Sequence, residues 1–158
     1  MAGFYNAGMS WLLLLKSVHV LSAIVAVGSN LTYAAWSARG TVDEAHLGFA
    51  LRGIKFIDDR IANPAYGVLL VTGLLMAVIY FSITLTWILI GLTGFILVAA
   101  LAVVVYTPTL TKQISVLDTD GAQSPAYKAL ASRGQAVGMF MGVVVIAIVF
   151  VMVFKPLV

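Results

Sequence analysis

The sequence predicts an all-α membrane protein, a bundle of four transmembrane helices with an amphipathic cytoplasmic helix between spans one and two. First, 62% of its 158 residues are hydrophobic and 9% are charged, whereas roughly a quarter are charged in soluble domains. Second, four apolar stretches approach the ~20 residues that a spanning helix needs. Third, the basic residues collect in two of the three connections, which is typical of a multi-pass protein.

The predicted spans cover approximately residues 11–36, 64–81, 85–106 and 136–154. Residues 1–158 therefore form a single integral membrane domain, because the chain has the length of one domain. Its first partner is the lipid bilayer, since no soluble core of this size buries so much apolar surface.

Basic residues predict the orientation. Loop 37–63 and loop 107–135 hold seven of the nine lysines and arginines, and the opposite side holds Lys155 beside an uncharged turn, Ser82–Thr84. Positive charge in short loops favours the cytoplasmic side. Both loops are therefore predicted to be cytoplasmic, with the N-terminus and the C-terminus outside.

The first cytoplasmic loop carries a helix signature. Thr41 and Glu44 have the spacing of a capping box. Apolar residues then recur at helical spacing, namely Leu47, Leu51, Ile54, Ile57 and Ile61. We predict an amphipathic helix over residues 42–61 that lies at the membrane interface or continues into span two. In the second loop, residues 118–121 predict a turn, and Ser124 precedes Pro125 as a helix N-cap.

Span one carries a polar stripe. Lys16, His19, Asn30 and Tyr33 share one helical face, and Ser22 and Ser29 flank it. A polar stripe in lipid must face other protein or a water-filled cavity. These four residues are therefore the candidate ligand- or cofactor-binding site.

His19 has several interpretations. As a neutral imidazole it is a candidate ligand for haem iron or another metal, or a proton carrier. It is equally a candidate for a hydrogen bond between helices. Lys16 either pairs with an anionic ligand or extends to the outer surface. Asn30 more often joins helices than binds ligands.

Span four begins with Gly134, Gly138 and Gly142, one glycine every four residues. This spacing makes a shallow groove that lets another helix approach closely. The partner helix belongs either to the same chain or to a second copy, so the groove is also a candidate homo-oligomer interface. The candidate counterparts are Gly67, Gly73, Gly91 and Gly94.

Asp58 and Asp59 are adjacent and should point to different sides of a helix, so a shared catalytic dyad is not expected. The ordinary interpretation is salt bridges to Arg52, Lys55 or Arg133.

Several function classes are disfavoured. The chain has no cysteine, so thiol catalysis and thiolate metal sites are excluded. It has no phosphate-binding loop and no Ser/His/Asp set. The basic residues are few and mixed with acids, which argues against nucleic acid as a partner. The sequence favours a protein that is not an enzyme.

Two stretches carry a family resemblance. One is Leu15-Lys-Ser-Val-His19, followed by small residues to Gly28. The other is Ile57-Asp-Asp-Arg60-Ile-Ala-Asn-Pro64, followed by Leu70-Val-Thr-Gly73. Together they resemble a family of bacterial predicted integral membrane proteins with no assigned function. That family is similar, more distantly, to the copper-resistance D proteins and the haem-binding protoporphyrinogen oxidase family.

The resemblance implies a four-helix bundle in a bacterial inner membrane, and a span-one histidine, here His19, as an axial ligand of haem b. We expect an accessory or ligand-binding protein with a polar intramembrane site around His19 and Asn30. One alternative is a haem-b protein in electron transfer or porphyrin oxidation. The other is a small channel or carrier for a metal or an uncharged solute, with Ser29, Asn30 and Tyr33 along its path.

Overall fold

The computed structural model describes residues 2–156, with side chains from residue 9 onward. It has six α-helices joined into four long rods. The helices are α1 (Ala2–Val42), α2 (Leu47–Ile57), α3 (Asn63–Ile79), α4 (Thr86–Leu101), α5 (Thr107–Asp120) and α6 (Pro125–Phe154). Four helical segments are long and apolar enough to cross a membrane, and no strand occurs in the described part of the chain. The predicted all-α fold class is confirmed.

The second and third rods each contain one π-helical turn. Asp58–Ala62 joins α2 to α3, and Ala102–Tyr106 joins α4 to α5. In both cases a proline, Pro64 or Pro108, follows two residues later. A proline inside an α-helix removes one hydrogen bond and crowds the carbonyl four residues before it. The extra residue of a π turn accommodates the proline without ending the helix.

The amphipathic helix continues directly into span two. Its residues Leu47, Leu51 and Ile54 are almost completely buried, as the stripe predicts. Ile61, the last residue of the predicted stripe, is 43% exposed. A π turn rotates the residues that follow it, so the regular 3.6-residue periodicity used for the prediction does not reach Ile61.

The predicted capping box is wrong. Thr41 still belongs to α1, and its hydroxyl donates to the carbonyl of Ala38. A short 3₁₀ turn, Glu44–His46, leads into α2 instead. His46 lies on this exposed turn, and its hydrogen bond to Asp43 (2.8 Å) lowers the pKa of that carboxyl.

The connection between α4 and α6 is mostly helical, because α5 continues to Asp120. The turn predicted over residues 118–121 therefore starts only at its last residue, Gly121, which adopts a φ of +80°, a conformation that glycine reaches without steric cost. The N-cap is confirmed, since the Ser124 hydroxyl accepts a hydrogen bond from the Tyr127 amide (3.2 Å).

The rods pack in pairs. In the apolar half of the molecule α1 packs against α3 and α4 packs against α6, whereas α3 and α4 contact each other sparsely. At the opposite end α2 packs against α1 and α5, and α5 packs against α6. An apolar core that includes Leu51, Ile54, Leu110 and Tyr127 closes this end. The rods are therefore closely packed at the charged end of the bundle. In the apolar half the second and third rods contact each other only sparsely.

Glycines set the spacing between the third and fourth rods. A Cβ at Gly91 would overlap the Met152 methyl group, and one at Gly94 would lie 2.9 Å from Ile148. The predicted groove on α6 faces the same chain in part. A Cβ at Gly138 would lie 3.6 Å from the Tyr106 ring, one at Gly134 would lie 3.8 Å from Thr109, and Gly142 faces open space.

Candidate functional site

The polar stripe of α1 pairs with polar side chains of the second rod. In order toward the charged end of the bundle, three hydrogen bonds connect His19 with Thr72, Asn30 with Tyr66 and Tyr33 with Asp58. Ala26, fully buried on the same helix, lets the two rods approach closely. Each of the three stripe residues therefore faces another part of the protein, and we call these three pairs the polar seam.

His19 lies flush against α3. Its Nδ1 is 3.0 Å from the Thr72 hydroxyl. That hydroxyl donates its single proton to the Val68 carbonyl at 2.7 Å, so it accepts from the imidazole. The ring covers Gly73, where a Cβ would lie 2.9 Å from the His19 Cε1. Glycine at 73 therefore makes the space that the histidine ring occupies.

Asn30 joins the seam at mid-length. Its amide nitrogen donates to the Tyr66 hydroxyl at 2.7 Å. The Tyr66 ring meets Phe95 of α4 edge-on, with centroids 6.1 Å apart. Tyr66 thus connects the first rod to the third across the space where α3 and α4 part.

Asp58 lies at the end of the seam nearest the charged connections and is only 6% exposed. One of its carboxyl oxygens accepts from Tyr33 at 3.4 Å and the other accepts from Thr107 at 3.1 Å. The Tyr33 ring stacks on Tyr106, with centroids 6.4 Å apart. Three rods therefore meet at this carboxyl. Asp58 belongs to the first π turn, and its carboxyl contacts Thr107, the residue that directly follows the second π turn.

The predicted salt bridges of Asp58 are wrong. Arg52 pairs with Asp118 at 3.1 Å, and Lys55 pairs with the exposed Asp59 at 2.7 Å. Asp58 and Asp59 do point to different sides, as predicted. The inward orientation of Asp58 follows from the π turn that begins at this residue, and no residue pattern in the sequence indicated that turn.

A cleft on the side of the bundle lies between α3 and α4. It has a volume of about 300 Å³. Its walls are mostly apolar, and Tyr66 and Asn63 contribute polar groups near the charged end of the bundle. The other lining residues are Gly67, Leu70, Phe95, Val98, Ala99, Ala102 and Val103. Sequence reasoning expected a cavity beside His19 and Asn30, but the cleft touches neither and reaches the seam only through Tyr66.

The residues around His19 do not fit a haem. A haem ligand needs an open slot beside the imidazole, but α1 and α3 are in close contact here and Gly73 lies under the ring. Lys16 is exposed one turn away, and neither residue lines the cleft. In the described part of the chain no three His, Asp or Glu side chains gather for a metal. His19 therefore acts in the structure as a helix-packing residue.

The polar side chains that the channel hypothesis places along a path are hydrogen bonded to other protein groups. Asn30 and Tyr33 are hydrogen bonded across the seam, and the buried Ser29 hydroxyl donates to the Val25 carbonyl at 2.8 Å. No buried polar side-chain atom of the described residues lacks a partner. These polar groups are bonded within the protein and do not line a water-filled path. The polar stripe therefore no longer favours a solute channel.

Comparison with known proteins gives one match. No curated protein and no solved structure matches the chain. The more distant similarity to copper-resistance D or haem-binding proteins is therefore not shown. A family model described as "Predicted integral membrane protein (DUF2269)" matches residues 13–156, which includes all four spanning segments. The chain belongs to this family of predicted integral membrane proteins of unknown function.

Proposed function

We propose that the protein is a non-catalytic component of the bacterial inner membrane that binds an apolar, lipid-derived molecule. The site is the cleft between α3 and α4, and the occupant is the acyl chain of a bilayer lipid. The cleft carries this proposal, because its mostly apolar walls and its position between spanning helices leave it open to hydrocarbon. A cleft with apolar walls and a few placed polar groups is the usual form of a small-ligand site.

The polar end of the cleft gives the ligand a direction. Tyr66 accepts a hydrogen bond from Asn30, so its own proton is free to donate. Asn63, at the same end, adds an amide. Arg60 precedes Asn63 by three residues, is exposed, and has no part in the salt bridges of the described residues. These groups favour an ester or phosphate head at the charged end and a chain running outward.

Filling the cleft should remove the ligand. We expect Ala99→Trp to lower the amount of lipid that copurifies in mild detergent at least fivefold, because the indole occupies the space between Phe95 and Leu70. The matched control is Ile146→Trp, on a lipid-facing position of α6 that is 54% exposed. Native mass spectrometry of the two variants and the wild type measures retained lipid. Equal retention in all three would overturn the proposal.

The orientation belongs to the same proposal, with both termini outside and the charged connections in the cytoplasm. It is supported by the basic residues of those connections. The chain has no cysteine, so single cysteines report without background. We expect a cysteine at Ser82 to react with an impermeant maleimide on intact spheroplasts, and one at Ser124 to react only after lysis. Labelling of Ser124 from outside would reverse the orientation.

We also propose a homo-oligomer through α6, in which only part of the glycine groove is available to a second copy. Gly134 and Gly138 face the third rod, so the open part of the glycine groove is at Gly142. A second copy would have to pack there.

A further inference from the structure

We infer that Asp58 is a proton-binding site that controls the contact between the second and third rods at the cytoplasmic end of the bundle. The inference does not require a ligand in the cleft. It rests on the burial of this carboxyl, on its two hydrogen bonds to different rods, and on the two π turns that flank it.

The hydrogen bonds make the carboxyl a bridge between rods. Tyr33 of the first rod donates to one oxygen, and Thr107 of the third rod donates to the other. An ionised carboxylate accepts at both oxygens, whereas a protonated one has a donor where one acceptor was. Uptake of one proton from cytoplasmic water changes the charge from −1 to zero, and the neutral carboxyl still accepts at its carbonyl oxygen and donates through its O–H. Burial without an opposite charge penalises only the ionised carboxyl, so the neutral state holds the three rods together and ionisation releases them.

The surroundings of Asp58 contain no compensating ion pair among the described residues. Lys55, the nearest basic group along the helix, is bonded to Asp59 at 2.7 Å. A buried ionisable group without an opposite charge is uncommon in structural roles and marks a functional site by default. The ionisable groups close enough to act on the charge of Asp58 are Tyr33 and Tyr106 on the first and third rods, and Lys55, Asp59 and Tyr66 on its own rod.

The two π turns are the segments that we infer to change conformation when Asp58 changes its charge. Asp58 is the first residue of one π turn, and Thr107 directly follows the other. Such turns leave the regular hydrogen-bond pattern of the helix and occur frequently at functional sites. Asn63, just after the first turn, and Ala102 and Val103, within the second, line the cleft. Release of the bridge therefore loosens the cytoplasmic end of the cleft.

A pair of spin labels tests this inference directly. The labels are attached to cysteines that replace Phe56 of α2 and Ser115 of α5, two exposed residues outside both π turns. The native chain has no cysteine, so no other residue is labelled. We expect the label distance to increase by several ångströms as the pH rises, with a single-proton midpoint. In Asp58→Asn, which cannot ionise, the shorter distance should persist at every pH.

Asp59→Asn is the matched control, because it removes the neighbouring carboxylate, which is exposed and paired with Lys55. This variant should keep the pH response of the wild type. Thr107→Val should move the midpoint to higher pH, because it removes a hydroxyl that donates to the charged form. This variant replaces Asp58→Asn as the test if Asp58→Asn does not fold. An infrared titration of the carboxyl band should show a single-proton midpoint in the wild type and in Asp59→Asn, at lower pH in the variant because removal of the neighbouring negative charge favours the ionised form.

A distance that does not change with pH would overturn the inference. A response that persists in Asp58→Asn, or one that disappears in Asp59→Asn but not in Asp58→Asn, would do the same.

Discussion

Gly73→Leu should destabilise the bundle by about 2–3 kcal/mol, in the range observed for overpacked interiors. The reason is the His19 ring, which lies where even a Cβ at residue 73 would come within 2.9 Å of it. The leucine displaces the ring and breaks the hydrogen bond to Thr72. Unfolding by titration with sodium dodecyl sulfate in mixed micelles measures the loss.

A double-mutant cycle shows whether His19 is the cause. In a His19→Ala background the ring is gone, so Gly73→Leu should cost less than half as much. Gly67→Leu is the matched control on the same helix, because a Cβ at Gly67 meets nothing within 4 Å. Equal losses with and without the histidine would mean that the ring does not lie on Gly73, and the packing assignment of His19 would fail.

Gly138→Leu should cost about 1–3 kcal/mol, again through overpacking. A Cβ at this position already lies 3.6 Å from the Tyr106 ring, so the remaining leucine carbons would push into it. Tyr106 stacks on Tyr33, and the strain would therefore reach the Asp58 bridge. The same detergent titration measures the change in the free energy of unfolding.

Gly142→Leu supplies the control, one helical turn further along α6. Residue 142 faces open space, so the substitution should leave the stability of the monomer unchanged. Mass photometry of both variants separates contacts within the chain from contacts between copies. If Gly142→Leu lowers the oligomeric mass while Gly138→Leu is neutral, the groove is an interface with a second copy and not a contact with the third rod.

Hydropathy and helical periodicity predicted most of the fold. The four long apolar helices, the amphipathic stripe through Ile54 and the Ser124 cap follow from local rules that the structure obeys. The polar stripe of α1 also predicted which face of that helix would meet protein. Its partners Thr72, Tyr66 and Asp58 could not be predicted, because pairing across rods depends on how α1 and α3 are aligned.

The π turns mark the limit of sequence reasoning here. Pro64 and Pro108 each stand at the start of a helix that continues the rod, and a one-residue insertion just before each of them satisfies the proline constraint without ending the rod. The insertion decides which of two adjacent aspartates is buried. Counting 3.6 residues per turn across residues 58–62 therefore misplaced Ile61, which is exposed.

The bound lipid is the central claim, and site-specific photocrosslinking tests it most directly. A photoreactive residue is placed at Gly67 inside the cleft or at Ile146 on the outer surface of α6. Both variants are irradiated after extensive delipidation in detergent, and lipid adducts are counted by mass spectrometry. We predict adducts at residue 67 that survive delipidation and none above background at residue 146. Equal adduct yields at the two positions would mean that the cleft holds lipid no more tightly than any membrane-facing surface.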